Sequence, residues 1–508
     1  MIDNSKSAKI AKNTLFLYFR QALIMLVSLY TVRVVLETLG ETDYGLYNVI
    51  AGVVTMFSFL MGSMAVASQR YFSVDLGKND FEHLKKTFSI TITIYFIIAF
   101  VVLFLAETLG LWFVYYRLAI PEGREKIAHI IYQFSIISFV FTILTSPFMA
   151  DILAHEDMNI YAFVSIIETL LKLGVAFLIR LFVVDKLWLY GLLMMSVTII
   201  NTTIYRTICR IKYAECKFKF CWDKNYIKEI IDFTVWNVFG AATGTFKYQL
   251  VNILLNQFFN PIVITARAIA ANVNGAVNSF SQNFSMALRP QIIKTYAIKN
   301  YEESFTLVYR GCKFTFFLML IFSNPLILEM ETVLRLWLKN IPDYAILFTR
   351  LALIDAVIDS LNYPLMTLAQ ANGKIRLYQG VVGSVILCNF PISWIVLKFG
   401  APAYSVFIVA IVIAIIAMFV RLIIIKKLMP FSLMRYLKEV IIPSFIVLVI
   451  SISLSLLLFC NTPKSFGFCF IRIIIEILIL CFCIIILGIN NSERSYVLNY
   501  IKKKLQRH

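Results

Sequence analysis

The stretch PAYSVFIVAIVIAIIAMFVRLIII, residues 402–425, carries no charge before Arg421 and is built almost wholly from apolar side chains. About 20 such residues cross a hydrocarbon core of about 30 Å as one helix, so the segment reads as a membrane span. Working outward, comparable stretches fall near 14–36, 44–66, 87–106, 129–150, 160–182, 187–207, 230–256, 262–285, 306–328, 345–369, 375–397, 437–459 and 467–489. Composition agrees: 60% of residues are hydrophobic, only 15% are charged, and the mean hydropathy is +0.81. Soluble domains carry about a quarter of charged residues. The expected fold class is therefore an all-α polytopic membrane protein with about 14 transmembrane helices.

Basic residues set the expected orientation. Lys6, Lys9 and Lys12, then Arg70, Lys78, Lys85 and Lys86, the cluster from Arg206 to Lys228, and Lys426, Lys427, Arg435 and Lys438 all fall on one side. About thirty Lys and Arg lie on that side and about nine on the other, which places both termini in the cytoplasm by the positive-inside rule. The net charge of +18 is explained by this bias, and nucleic acid is not expected as a partner. The first stretch holds Arg20 and Arg33 and no small-residue cleavage pattern follows it, so it reads as a retained span rather than a signal peptide. The tail from Ser492 to His508 mixes Tyr and Leu with Lys and Arg, a composition suited to an amphipathic helix on anionic membrane lipids.

A faint internal repeat divides the chain. Asn48, Val49, Gly52, Val54, Phe57 and Ser58 resemble Asn272, Val273, Gly275, Val277, Phe280 and Ser281, and Lys78 with Asn79 echoes Lys299 with Asn300. An offset of about 220 residues fits parallel six-span halves, an architecture that transporters use to hold a site. The expected organisation is 1–222 and 223–428 as two six-helix bundles, with 429–508 as two extra spans and a basic tail.

Charges inside spans cost about 2.5 to 3.5 kcal/mol each even on lenient insertion scales, and they face a partner or a wet cavity. Arg267, Asn274, Asn278, Ser281 and Ser285 share one helical face of the eighth span; Asn237, Gly240, Gly244 and Lys247 share one in the seventh; Asn13, Arg20, Ser28 and Thr31 do so in the first. Small and amide residues also glue helices together, an equally good reading for the Asn and Gly positions. Arg20, Lys247 and Arg267 have no acid at a helical neighbour position, which makes them candidates for an anion site with Asn274 and Asn278 beside them. Glu168 with Lys172 and Arg472 with Glu476 have the spacing of local ion pairs, while Arg310, Lys313 and Arg421 lie where long side chains snorkel to headgroups. Asp355, Asp359 and Asn362 form an acidic face ahead of Pro364, which is expected to kink its helix. These acids are candidate H⁺ or Na⁺ sites, and pairing with Arg350 or with another helix's base is an equal alternative.

No catalytic constellation is present in the sequence. There is no G-x-x-x-x-G-K-[ST] loop, and the four histidines form no triad or metal pattern. The nine cysteines lie singly, without C-x-x-C or zinc-finger spacing, so no metal, disulfide or cofactor is expected.

Several local sequences resemble Wzx-type polysaccharide flippases. They are Asn13 and Arg20 in the first span, Asp43-Tyr44-Gly45-Leu46-Tyr47, Ser68-Gln69-Arg70-Tyr71-Phe72-Ser73 running into Gly77-Lys78-Asn79, and Arg289-Pro290 followed by Lys294 and Tyr296-Ala297. That family belongs to the MOP superfamily, with MATE exporters and lipid II flippases. The resemblance implies two six-helix bundles around a V-shaped cationic cavity, alternating access, and transfer of an undecaprenyl-pyrophosphate-linked oligosaccharide between leaflets of the bacterial inner membrane. It further implies that Arg20, Lys247 and Arg267 meet the pyrophosphate and that polysaccharide assembly proteins are partners. A MATE-like drug antiporter would line its cavity with acids, a lipid II flippase would differ in cargo, and a membrane glycan polymerase would carry a large outside loop.

Overall fold

The computed structural model describes residues 4–55, 58–116, 120, 123–182, 184–259, 261–338, 341–461, 466–490 and 494, and among these it is helical with no strand. Every expected span falls on helix apart from end and break residues, with residues 56 and 57 of the second lying outside the described residues. Among the described residues, ten helices are long and apolar enough to cross a membrane. The spans expected at 230–256, 262–285 and 345–369 fall instead on the more polar helices Lys224–Phe258, Pro261–Ala297 and the pair Ala345–Ser360 and Asn362–Asn372. The tail expected to be amphipathic lies outside the described residues, Arg494 excepted.

The chain forms two compact units, one of Met1–Ala241 with Ile293–Asn300, the other of Ala242–Ile292 with Tyr301–His508. In the first, the Asn4–Thr55 helix bends at Gly40, whose φ of 78° and ψ of 168° suit only a residue without Cβ. Its apolar face packs on the Met158–Leu181 helix, where Val34 and Val35 meet Val175, Ala176 and Ile179. A second cluster gathers Tyr95, Val102, Ile131 and Tyr132 from the Phe81–Leu105 and Glu125–Ala154 helices. The π-helical turn Ala106–Gly110 disturbs the regular ladder, and the Tyr132 hydroxyl donates to the Ala106 carbonyl at 2.6 Å. At one end, Arg124 joins Asp43 at 2.8 Å and also Asp185, the N-cap of the Lys186–Lys212 helix. Burial pushes the Asp185 carboxyl up, but the Trp188 amide and the Arg124 guanidinium outweigh it and hold it below the usual range.

The repeat is visible in the backbone more clearly than in side chains. The Ser58–Lys78 helix stops at Asn79 with φ 56°, and the Asp80 amide donates to the Asp75 carbonyl at 3.0 Å. The Pro261–Ala297 helix stops at Lys299 with φ 62°, and the Asn300 amide donates to the Thr295 carbonyl at 3.0 Å. Both are left-handed caps of the Schellman type. This equates Asn79 with Lys299, one residue away from the pairing that matching letters suggest. Glu156 and Gly373, again with positive φ, close the Glu125–Ala154 and Asn362–Asn372 helices at a similar offset. The Asn48 to Ser58 half of the side-chain repeat lies outside the described side chains.

In the second unit, the Tyr301–Trp337 helix packs on Ala345–Ser360, Asn362–Asn372 and Phe466–Cys483. The Ser405–Leu428 helix packs on Ala345–Ser360, Ile375–Leu387 and Asn389–Lys398. It buries Val406, Val409, Ile413 and Ala417 while exposing Ile408, Val412, Ile416, Phe419 and Ile423. A helix with an apolar stripe on each side is made for lipid as well as for a core. The expected break before Pro364 is present between Ser360 and Asn362, because proline cannot donate to the carbonyl four residues back. A comparable break at Cys388 precedes Pro391.

Candidate functional site

The polar faces of the Lys224–Phe258 and Pro261–Ala297 helices open on a cavity of about 400 Å³ within the second unit. Lys247, Arg267, Asn274, Asp355, Asp359 and Asn389 supply its polar lining. Gly244 and Gly275 lie on the same faces and leave room there, nothing being within 4 Å of a Cβ at either position.

Arg267 is buried at 7% exposure. Its Nη2 donates to the Tyr248 carbonyl at 3.1 Å, and its guanidinium lies 4.9 Å from the Tyr248 ring centre and 5.8 Å from that of Phe407. Ring faces attract a desolvated cation by about 2 kcal/mol, which offsets part of its burial. Nη1 has no hydrogen-bond partner and remains available for an anion. The Asn274 carbonyl oxygen and both side-chain polar atoms of Asn389 are likewise buried without partners. Such groups cost about 1 to 3 kcal/mol each unless something in the cavity satisfies them.

Lys247, expected to lack a neutralising acid, faces Asp355 of the Ala345–Ser360 helix with Nζ 3.5 Å from Oδ2. That separation is long for a charge-assisted hydrogen bond, and Asp355 Oδ1 has no hydrogen-bond partner. Asp359 accepts from Asn362 at 3.1 Å and sits 3.8 Å from Arg421. Arg421 therefore does not snorkel as expected; its Nε and Nη1 are buried. Lys313 is also buried, at 1% exposure. Arg350 donates to the Ile327 carbonyl at 2.8 Å instead of meeting Asp355 or Asp359. The cavity is thus not uniformly cationic, since two bases and two acids line it.

Two expected residues are not among those lining this cavity. Asn278 accepts a 2.8 Å hydrogen bond from the Tyr363 hydroxyl and is not among the residues lining the cavity. Arg20 belongs to the first unit, where its guanidinium stacks 4.7 Å from the Tyr161 ring centre. Asn389, Tyr248 and Phe407 were missed from sequence. Asn389 had a signal, an amide two residues before Pro391 in an apolar stretch; the aromatic rings had none, because apolar helices are full of them.

Glu168 and Lys172 pair at 2.6 Å as their spacing suggests. Arg472 and Glu476 do not: Arg472 meets Glu329 of the Tyr301–Trp337 helix at 2.5 Å, and both Glu476 oxygens are buried without a hydrogen bond. A packed neighbouring helix offered a nearer carboxylate than the next turn of the same helix.

A long, apolar, many-spanned helical chain with a partly polar cavity inside a helix bundle defines a multi-pass membrane protein of transporter architecture. Residues 10–295 match the family described as polysaccharide biosynthesis protein, and the chain belongs to that family. The resemblance to Wzx-type flippases of the MOP superfamily is upheld by this match together with the fold. One similar solved structure is an outward-facing multidrug resistance MATE family transporter of the MOP superfamily, with a TM-score of 0.73, 11% identity, and coverage of 83% of this chain and 96% of that one. An aspartate-to-asparagine variant of the Vibrio cholerae MATE transporter VcmN gives a TM-score of 0.69 at 17% identity, covering 83% and 97%. A MATE protein in the bent conformation gives 0.72 at 11% identity, covering 83% and 96%. No curated protein sequence matches the chain. The family match is to polysaccharide biosynthesis proteins, and the fold is shared with solved MATE transporters.

Proposed function

We propose that this protein flips an undecaprenyl-pyrophosphate-linked oligosaccharide from the inner to the outer leaflet of the bacterial cytoplasmic membrane, with both termini in the cytoplasm. The observation that carries the reading is Arg267: in a member of a polysaccharide biosynthesis family, a buried guanidinium clamped by Tyr248 and Phe407 keeps one face of its donors open to a cavity. Guanidinium and ammonium groups in a low dielectric bind phosphate strongly without covalent chemistry. The unsatisfied amides of Asn274 and Asn389 supply hydrogen-bonding groups for sugar hydroxyls, and the polyprenyl chain stays in lipid.

Lys247 and Asp355 provide a switch between binding and release. Protonation of Asp355 removes the charge that holds Lys247, and the freed ammonium turns to the pyrophosphate; loss of that proton on the far side draws Lys247 back and releases the cargo. Asp359, already near Arg421, sets the local field.

Arg267→Ala and Lys247→Ala, each expressed at the wild-type level in the membrane, are expected to abolish surface glycan. Arg267→Lys is expected to recover it only partly, because an ammonium cannot make the two-donor contact or stack between rings. Normal glycan display in both alanine variants sinks the proposal. The acids favour one other reading, a cation antiporter; resistance to cationic dyes conferred by the wild type and lost in Asp355→Asn, with unchanged glycan, would select it.

A further inference from the structure

We propose that Asp151, His155, Glu215 and Cys216 form a zinc site in the first unit. Sequence spacing hides it, since the donors come from two places: the last turn of the Glu125–Ala154 helix with its C-cap, and the short turn Ala214–Cys216 some sixty residues on. One ligand atom from each of Asp151, His155 and Glu215 falls within 4.8 Å of the others, the one such group among the described residues.

The details suit a metal. His155 Nε2 lies 2.6 Å from Glu215 Oε1 and 3.9 Å from Asp151 Oδ1. Cys216 Sγ lies 3.2 Å from Asp151 Oδ2. Donors around tetrahedral zinc, at about 2.0 to 2.3 Å from the ion, stand about 3.3 to 3.7 Å apart, so a small adjustment of Asp151, His155 and Glu215 accommodates it, and Cys216, outside that close group, turns its Sγ inward to complete the set. Independently of that clustering, Asp151 is fully buried and its Oδ1 has no hydrogen-bond partner. A buried carboxylate oxygen aimed at an imidazole and left unsatisfied is costly, and a cation removes the cost.

The surroundings hold the ligands in place. The Tyr213 ring stacks on the His155 ring at 4.2 Å with 12° between planes, and the Tyr213 hydroxyl donates to Asp157. Cys209, whose Sγ reaches the Phe148 carbonyl at 3.5 Å, packs in the same buried cluster as Cys216. Mixed N, O and S donors in a small closed site select zinc over magnesium or calcium, which want six or more oxygens. The ion would staple the turn after one span to the end of another.

The test uses the full chain purified in detergent without a polyhistidine tag, stripped with a chelator and titrated with ZnCl₂ or MgCl₂. About one tightly held zinc per chain by elemental analysis, with a rise in Tm that magnesium does not give, is expected for three converging protein donors with Cys216 beside them as the fourth. Cobalt in place of zinc should give a thiolate charge-transfer band that Cys216→Ser removes, and His155→Gln should lose stoichiometric zinc while staying monodisperse. Substoichiometric zinc with no change in Tm overturns the proposal, as does equal zinc retention by wild type and His155→Gln. Should either variant fail to fold, the wild-type titration and the cobalt spectrum still decide.

Discussion

The contact between Arg472 and Glu329 shows how differently two carboxylates fare beside one base. Glu329 Oε1 stands 2.5 Å from Arg472 Nε in an ion pair that lacks hydrogen-bond geometry, whereas both oxygens of Glu476, one turn from Arg472 on its own helix, are buried with no hydrogen bond. Removing one partner of a buried pair costs about 3 to 5 kcal/mol, because the other charge is stranded. Glu329→Gln is expected to lower Tm by several degrees in detergent, and Glu476→Leu to leave it unchanged or raise it. The reverse ranking would show that Arg472 depends on Glu476. At this scale the sequence reading located polar positions well and partners poorly: Lys247, Arg267 and Asn274 stood out as polar groups in apolar helices, but Asp355 as the partner of Lys247 depends on how separate helices dock. Helical spacing reports neighbours one turn away. A residue from another helix leaves no mark in it.

Helices were legible because each needs about 20 apolar residues and so announces itself. Their breaks were legible where proline causes them, as at Pro364. The π turn at Ala106–Gly110 and the bend at Gly40 were not, since a glycine in an apolar run serves close packing as often as bending. Close packing is the case at Gly77. A Cβ there would stand 2.9 Å from the Lys294 Cα and carbonyl oxygen, and backbone does not yield as a flexible side chain does. Gly77→Ala is expected to destabilise by about 1 to 3 kcal/mol, seen as a lower Tm. Lys299 is exposed, with φ 62°, where an L side chain is disfavoured by about 1 kcal/mol. Lys299→Gly should therefore raise Tm by a degree or more, and a fall would mean the cap is held by the lysine side chain. The two substitutions act in opposite directions at neighbouring turns of equivalent helix ends.

For the molecule as a whole, hydropathy was enough to expect a many-spanned membrane protein and the faint repeat a two-half architecture, while the MOP expectation came from the family resemblance; the family match and MATE-like fold agree. The cavity's character was only half legible, because its acids reach it by tertiary packing. Counting Lys247, Arg267 and Arg421 against Asp355 and Asp359 leaves one positive charge when the cavity is empty and the acids are ionised. In the proposed reading a pyrophosphate diester brings two negative charges while Asp355 is protonated, so the loaded centre is neutral. A membrane potential, negative inside, is worth about 2.3 kcal/mol per charge per 100 mV. It would draw the empty centre back inward and leave the neutral loaded one unopposed, assisting the return stroke. Clamping the potential to zero in glycan-loaded vesicles should slow flipping severalfold even at constant pH. An unaffected rate would show that the returning centre carries no net charge across the membrane. The near-cancellation of charge in the cavity thus confines the electrical force to the empty, returning carrier.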